Sequence, residues 1–245
     1  EAAMDKMMAA DVVPLPIVLG TGTFATEWLF QALAARATTQ EEMDAVSKGD
    51  AKFSDVFLAV EETMARWANK GYYGPSVTTN EWGPAITAMY QGRIGMLPMG
   101  VFFAAESKAQ YNESDLKYGI MVPPPLTDGV SKQVAGGLWW NASVNAYTEY
   151  PEAAARYIVA ISGKEFSEQW IRRTNNPAGG NVDTEFVSWT TLRRANEILS
   201  DHAATWFNLP PAISSDFLNV QAELVVGQLS GQDAANIIDD LFLSL

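Results

Sequence analysis

Pro14-Leu15-Pro16-Ile17-Val18-Leu19-Gly20, running on into Thr21-Gly22-Thr23-Phe24-Ala25-Thr26-Glu27-Trp28, is the stretch from which the fold is read. An apolar run of this length with turn residues at both ends predicts a buried strand, and it places the loop 21–26 at that strand's carboxyl end. Outward from it, the chain alternates. Phe53, Val56, Phe57, Val60, Met64 and Trp67 recur at helical spacing, with Gly71 as the stop, and predict an amphipathic helix over 53–69. A helix over 80–91, closed by Gly92, leads to a second apolar strand over 94–100. Further strands are expected over 118–122, before Pro123-Pro124-Pro125, and over 138–144, after Gly136-Gly137. Strands interleaved with helices imply an α/β fold.

The flanks are helical. A short amphipathic helix is expected up to Ala10, and Pro151 suits the first turn of a helix reaching about 161. Helices follow over 164–173, about 184–199, 216–229 and 232–243, the last after Ser230-Gly231.

Composition narrows the function. The 245 residues are 48% hydrophobic and 18% charged, enough to bury a sizeable core. A formal charge of −13, with 16 Lys and Arg spread along the chain, argues against nucleic acid and against anionic membrane surfaces. With no cysteine, thiolate chemistry and Cys-based metal sites are excluded, and neither a metal nor a cofactor is implied. No apolar run approaches the roughly 20 residues that span a bilayer. The opening Glu1-Ala2-Ala3-Met4-Asp5-Lys6-Met7-Met8 reads as helix, not as a leader, so an upstream segment is expected to be missing.

Gly20-Thr21-Gly22-Thr23-Phe24-Ala25 matches the dinucleotide pattern G-x-G-x-x-A. The acidic residues about 20 positions on, Glu41 and Glu42, follow Thr38-Thr39-Gln40 and look instead like the first turn of a helix. A plain loop able to touch another ligand is the better reading. The adjacent pairs Glu41-Glu42, Glu61-Glu62 and Asp239-Asp240 are read as solvated helix faces rather than catalytic carboxylates. His202, the single histidine, has no candidate nucleophile to serve, so no catalytic residue is assigned. Asn112-Glu113-Ser114 and Asn141-Ala142-Ser143 match the glycosylation triplet and are set aside.

What remains is a set of aromatics beside glycine turns: Phe24 and Trp28, Phe102 and Phe103, Trp139 and Trp140, with Trp206 and Phe217 later. Sugars present an apolar C–H face and a rim of hydroxyls, and flat rings with nearby polar groups suit them. Core packing competes for each ring singly, while their shared place at strand ends favours the group reading.

The order of motifs resembles the family 1 extracellular solute-binding proteins, the maltose-binding-protein-like, sugar-binding subunits of ABC importers. Residues 16–28 look like that family's strand and aromatic loop, and Trp67-Ala68-Asn69-Lys70-Gly71-Tyr72 like its helix ending in a Gly-Tyr turn. Tyr90-Gln91-Gly92-Arg93-Ile94-Gly95-Met96 with Met99-Gly100-Val101-Phe102 is similar to its "F-x-x-G-K-A-A-M" strand and "G-x-W" turn, with Phe102 in place of the usual tryptophan. Val122-Pro123-Pro124-Pro125, Gly136-Gly137 and the helices about Gly227 to Leu241 complete the likeness. Trp139-Trp140 adds bulk that the family pattern lacks.

The resemblance implies a type II two-lobe binding-protein fold, incomplete at the amino terminus, with residues 1–135 in one lobe, 136–204 part of the other, and 205–245 returning as closing helices. It implies a non-enzymatic protein that captures a mono- or oligosaccharide and delivers it to importer membrane subunits, outside the cytoplasm, with a lipid anchor on a missing upstream segment as one form this takes. Its ligand-binding residues would be Thr23, Phe24, Trp28, Gly100, Phe102, Phe103, Gly136, Gly137, Trp139, Trp140 and Phe217, with Trp28, Phe102 and Trp139 lining one cleft. Arg93 and Lys132 would matter only for an anionic ligand. A carbohydrate-active enzyme, or a sensor or adhesion module on the same fold, is the alternative.

Overall fold

The computed structural model describes residues 1–103, 118–128, 130, 132–136, 142–174, 178 and 190–245. Its helices are α1 (Ala2–Ala9), α2 (Phe24–Ala34), α3 (Gln40–Lys48), α4 (Phe53–Asn69), α5 (Trp82–Tyr90), α6 (Pro151–Ser162), α7 (Lys164–Thr174), α8 (Thr190–Asp201), α9 (Ser214–Val225) and α10 (Gly231–Leu243). Two short strands, β1 (Gln133–Ala135) and β2 (Ala203–Thr205), pair in parallel with Gln133 opposite Ala203 and Ala135 opposite Thr205. The chain divides into two compact units. The larger comprises Glu1–Met99, Val122–Gly136 and His202–Leu245, and the smaller Gly100–Met121 and Gly137–Asp201. Within the smaller unit Phe103 packs edge-on against Tyr118 at 5.1 Å.

The expected strands over 14–20, 94–100 and 118–122 are extended or irregular chain instead of ladders. Val13 and Ile94 form an isolated parallel bridge, and Met96 N–H donates to the Pro14 carbonyl at 2.9 Å. Leu15 N–H turns to Tyr72 at 3.1 Å and Gly20 N–H to Asn80 at 2.8 Å, so one segment serves three partners. Pro14 and Pro16 lack the donors a ladder requires, which is why the apolar run does not become a strand. Of the strand expected over 138–144, residues 138–141 lie outside the described residues and 142–144 carry no regular structure.

The core of the larger unit is built on α4, whose Phe53, Phe57, Val60 and Met64 are fully buried at the spacing of one helix face. Phe30 of α2 stands among Phe53, Phe57, Phe207 and Phe217 with ring centroids 5.2–6.0 Å apart, all five rings at 0% exposure. Seven residues of α2 are buried, on more than one side, so it carries no one-sided pattern by which the sequence could announce a helix.

Helix α3 begins as the residues dictate. The Thr39 side chain accepts from Glu42 N–H while the Glu42 carboxylate accepts from Thr39 N–H at 2.8 Å, a reciprocal capping box. Hydrogen bonds from the Thr38 hydroxyl, then from Thr39, hold the Glu42 carboxyl below the usual range.

Glu61 departs from the expected solvated face. It is fully buried and accepts from Gln221 of α9 at 2.6 Å, while its neighbour Glu62 is exposed. Burial pushes the Glu61 carboxyl up to about 8, against the lowering effect of Gln221, so it is neutral at pH 7. A protonated carboxyl brings the O–H that its second oxygen and the Gln221 oxygen, both otherwise unpartnered, can share.

The chain leaves the larger unit after Gly136 and re-enters it at His202, next to the paired strands. Side-chain amides hold the continuation of β2: Gln31 and Phe207 exchange both hydrogen bonds at 2.9 Å, and Gln40 and Trp206 do the same at 2.9–3.0 Å. Arg36, 5% exposed, donates to the Gln133 carbonyl at 2.9 Å.

In the smaller unit α6 starts with Pro151 in its first turn and buries no residue, and α7 buries Ser167 and Ile171.

Candidate functional site

The loop 20–23 leads into α2, which carries Phe24 and Trp28. Gly20 lies so near the chain at 79–80 that a β-carbon on it would fall 2.7 Å from the Asn80 carbonyl oxygen. Gly22 has φ +149°, a conformation open to glycine, and a β-carbon there would meet the Phe24 ring at 2.8 Å. Thr23 caps α2 without a side-chain bond of its own, its carbonyl accepting from the Thr26 hydroxyl at 2.7 Å. The dinucleotide-like pattern is therefore a tight entry into a helix, and Glu41 and Glu42 sit in the first turn of α3.

Phe24 and Trp28, one helical turn apart, project from the same side of α2 with centroids 5.4 Å apart and planes at 67°. Trp82, the first residue of α5, meets Trp28 edge-on at 5.2 Å and 65°. Phe24 is 36% exposed and the two tryptophans are half-buried, whereas the rings of the core are at 0–1%. Thr21 fastens the two segments, its hydroxyl accepting from Trp82 N–H at 2.8 Å. Glu27, on the same side of α2 as Phe24 and Trp28, is half-buried, and burial raises its carboxyl above the usual range against a hydrogen bond from Gln31. Trp82 and Glu27 were not singled out from the sequence. Trp82 lies 54 positions beyond Trp28, and only the docking of 20–21 against 79–82 brings them together.

The other expected residues divide. Phe217 is a core ring at 0% exposure against Phe30 and Phe53 and presents no face to a ligand. Its spacing on α9 with Val220 and Leu224 puts it on that helix's inner face. Phe103 is 7% exposed and packed on Tyr118, while Phe102, half-buried, folds over Gly100, where a β-carbon would strike the ring at 2.3 Å. The Gly136 amide, expected to face a ligand, donates to the Thr205 carbonyl at 3.0 Å and extends the β1–β2 pairing. Gly137, Trp139 and Trp140 lie outside the described residues, as do both glycosylation triplets in whole or part. Thr23, Phe24 and Trp28 belong to the larger unit, Gly100, Phe102 and Phe103 to the smaller.

Elsewhere, a groove of about 400 Å³ is lined by Glu62, Arg66, Asn69, Lys70 and Gln232 among others. Its cations already serve Glu1, which accepts from Arg66 at 2.8 Å and from Lys70 at 2.9 Å and is held down to about 2 by them. Arg93 is exposed and bonded to Gln91 at 2.8 Å. Among the described residues no group of acidic or histidine side chains could hold a metal ion.

No protein-family model matches the sequence, and no curated protein does. Solved structures match its fold. A chitin oligosaccharide binding protein is 17% identical with a TM-score of 0.83 over 99% of this chain and 62% of its own. A sugar transporter protein from Bacillus licheniformis, in complex with stachyose, is 16% identical with a TM-score of 0.75 over 98% of this chain and 64% of its own. A family 1 extracellular solute-binding protein from Bifidobacterium longum subsp. infantis is 16% identical with a TM-score of 0.65 over 100% and 64%. The chain thus spans a little under two thirds of the length of each. At these identities the likeness is one of fold, and the fold of this chain is that of the two-lobe extracellular solute-binding proteins.

Proposed function

We propose that this chain captures a saccharide outside the cytoplasm, by non-covalent binding, for delivery to the membrane subunits of an ABC importer. The observation that carries the reading is the fold it shares, over 98–100% of its length, with solute-binding structures that include a chitin oligosaccharide binding protein and a stachyose complex. The partly exposed rings of Phe24 and Trp28 at a rigid loop support a sugar among polar solutes, because each offers a flat apolar face beside hydrogen-bonding groups. The use of the carboxylates supports binding over hydrolysis: in each adjacent pair one member serves the fold, Glu42 as a cap, Glu61 in the core, and Asp239 accepting from Ser54 N–H at 3.2 Å. Among the described residues no helix is long and apolar enough to cross a membrane.

Calorimetric titration with stachyose and with chito- and xylo-oligosaccharides tests this. Saturable binding, weakened about two- to tenfold by Trp28→Ala, is the expected result. Release of shorter sugars on incubation, seen by chromatography, would replace capture with a hydrolase.

A further inference from the structure

We infer that Trp82 joins Phe24 and Trp28 in the saccharide site and makes it a site for a chain of at least two sugar units; this rests on the capture reading. The three rings form a continuous row, with centroid spacings of 5.4 and 5.2 Å, drawn from two segments of the larger unit. Neighbouring planes are inclined at 67° and 65°, so one pyranose cannot lie flat on two of them. Each face that takes part therefore takes a different sugar unit, because stacking needs the C–H face parallel to the ring. A monosaccharide would leave most of the row bare, and an oligomer would cover it.

The row is built to stay where it is. Gly20 lets the 79–80 backbone approach, Gly20 N–H donates to the Asn80 carbonyl at 2.8 Å, and Trp82 N–H donates to Thr21 at 2.8 Å. The rings are thus positioned before a ligand arrives, which lowers the ordering cost of binding. They also differ from the rings of the aromatic core in exposure: Phe30, Phe53, Phe57, Phe207 and Phe217 are closed to solvent, while Phe24 is 36% exposed and Trp28 and Trp82 are half-buried, Trp82 packing against the hydrophobic core.

The test compares ligand lengths on the purified chain. Stachyose, chitotetraose and xylotetraose are titrated beside galactose, N-acetylglucosamine and xylose, with wild type, Trp28→Ala, Trp82→Ala and Trp82→Phe. For the tetrasaccharide that binds, Trp82→Ala is expected to weaken affinity about two- to tenfold, with Trp82→Phe in between, while affinity for the monosaccharide stays unchanged. Should Trp82→Ala fail to fold, judged by circular dichroism, Trp82→Phe and iodide quenching of wild-type tryptophan fluorescence decide. A tetrasaccharide that shields more tryptophan than its monosaccharide supports the inference, and equal shielding overturns it. A stable Trp82→Ala that binds the tetrasaccharide like wild type reduces Trp82 to packing and leaves capture standing. If neither tetrasaccharides nor monosaccharides bind wild type, the capture reading falls and takes this inference with it.

Discussion

In the larger unit the big apolar side chains face one another: Phe30, Phe53, Phe57, Phe207 and Phe217 have no exposed surface, and Tyr72 and Tyr73 only 1%. Among the described residues of the smaller unit several comparable side chains face water, with Tyr147 at 94%, Val159 at 72% and Tyr157 at 65% exposure, and fewer are buried, Phe103, Ile171 and Ile198 among them. Helix α6 has ordinary helical punctuation, with Pro151 leading, yet buries none of its twelve residues. The contrast teaches that forming a helix and stabilising a fold are separate achievements. Local signals suffice for the first, while the second requires an apolar face to leave water. Resistance to unfolding in this chain therefore resides in the larger unit, and the smaller should open at lower free energy.

The comparison can be broken most directly at Phe30. Phe30→Ala is expected to lower stability by about 3–5 kcal/mol in urea denaturation followed by circular dichroism, since it empties the centre of a closed ring cluster. A loss below about 1 kcal/mol would mean that the cluster does not hold the larger unit together.

Glu61 sharpens it through pH. Its folded-state value, raised by burial to about 8 from an ordinary 4.5, means that the folded chain keeps a proton the unfolded chain releases between those values. The stability this neutral carboxyl contributes is complete below about pH 4.5 and is lost as pH rises to about 8, a change on the order of a few kcal/mol. Glu61→Gln should flatten that slope in denaturation curves measured at pH 5 and pH 8. An unchanged slope would place the carboxyl in water.

Gln31→Ala leaves the buried Phe207 amide and carbonyl without partners and should cost about 1–3 kcal/mol. Val159→Ser and Tyr157→Ser, in the smaller unit, should change stability by no more than about 0.5 kcal/mol. Losses there as large as at Gln31 would erase the distinction between the units.

The sequence made legible what is written locally. Helix α4 could be read from Phe53, Phe57, Val60 and Met64, α6 from Pro151, and α10 from Ser230-Gly231, because periodicity, caps and breakers act over a few residues. The start of α3 could be read from Glu41 and Glu42 for the same reason. Apolar runs at 14–20 and 94–100 looked like strands because burial and extension share one signature, and the prolines within them decide against a ladder. Helix α2 escaped because burial on several sides removes the stripe by which a helix is recognised, and Glu61 because its partner Gln221 is 160 positions away. Phe24 and Trp28 could be picked out as aromatics beside a glycine turn, although they stand on α2 and not in a loop at a strand end, while Trp82 is joined to them by the docking of two distant segments.

The paired amides of Gln31 and Gln40 have a consequence for which substitutions this chain will tolerate. Beyond β2 the backbone at 206–207 runs past the two-stranded ladder, and its donors and acceptors, buried at Phe207, need partners of their own. Two side chains supply them, each answering one N–H and one C=O. A side-chain amide does both, whereas the near-isosteric change to an ionised glutamate would swap a donor for a second acceptor and set oxygen against carbonyl oxygen. A substitution that hardly alters shape would then leave buried backbone groups unpaired, and its first symptom would be lost stability instead of lost helix.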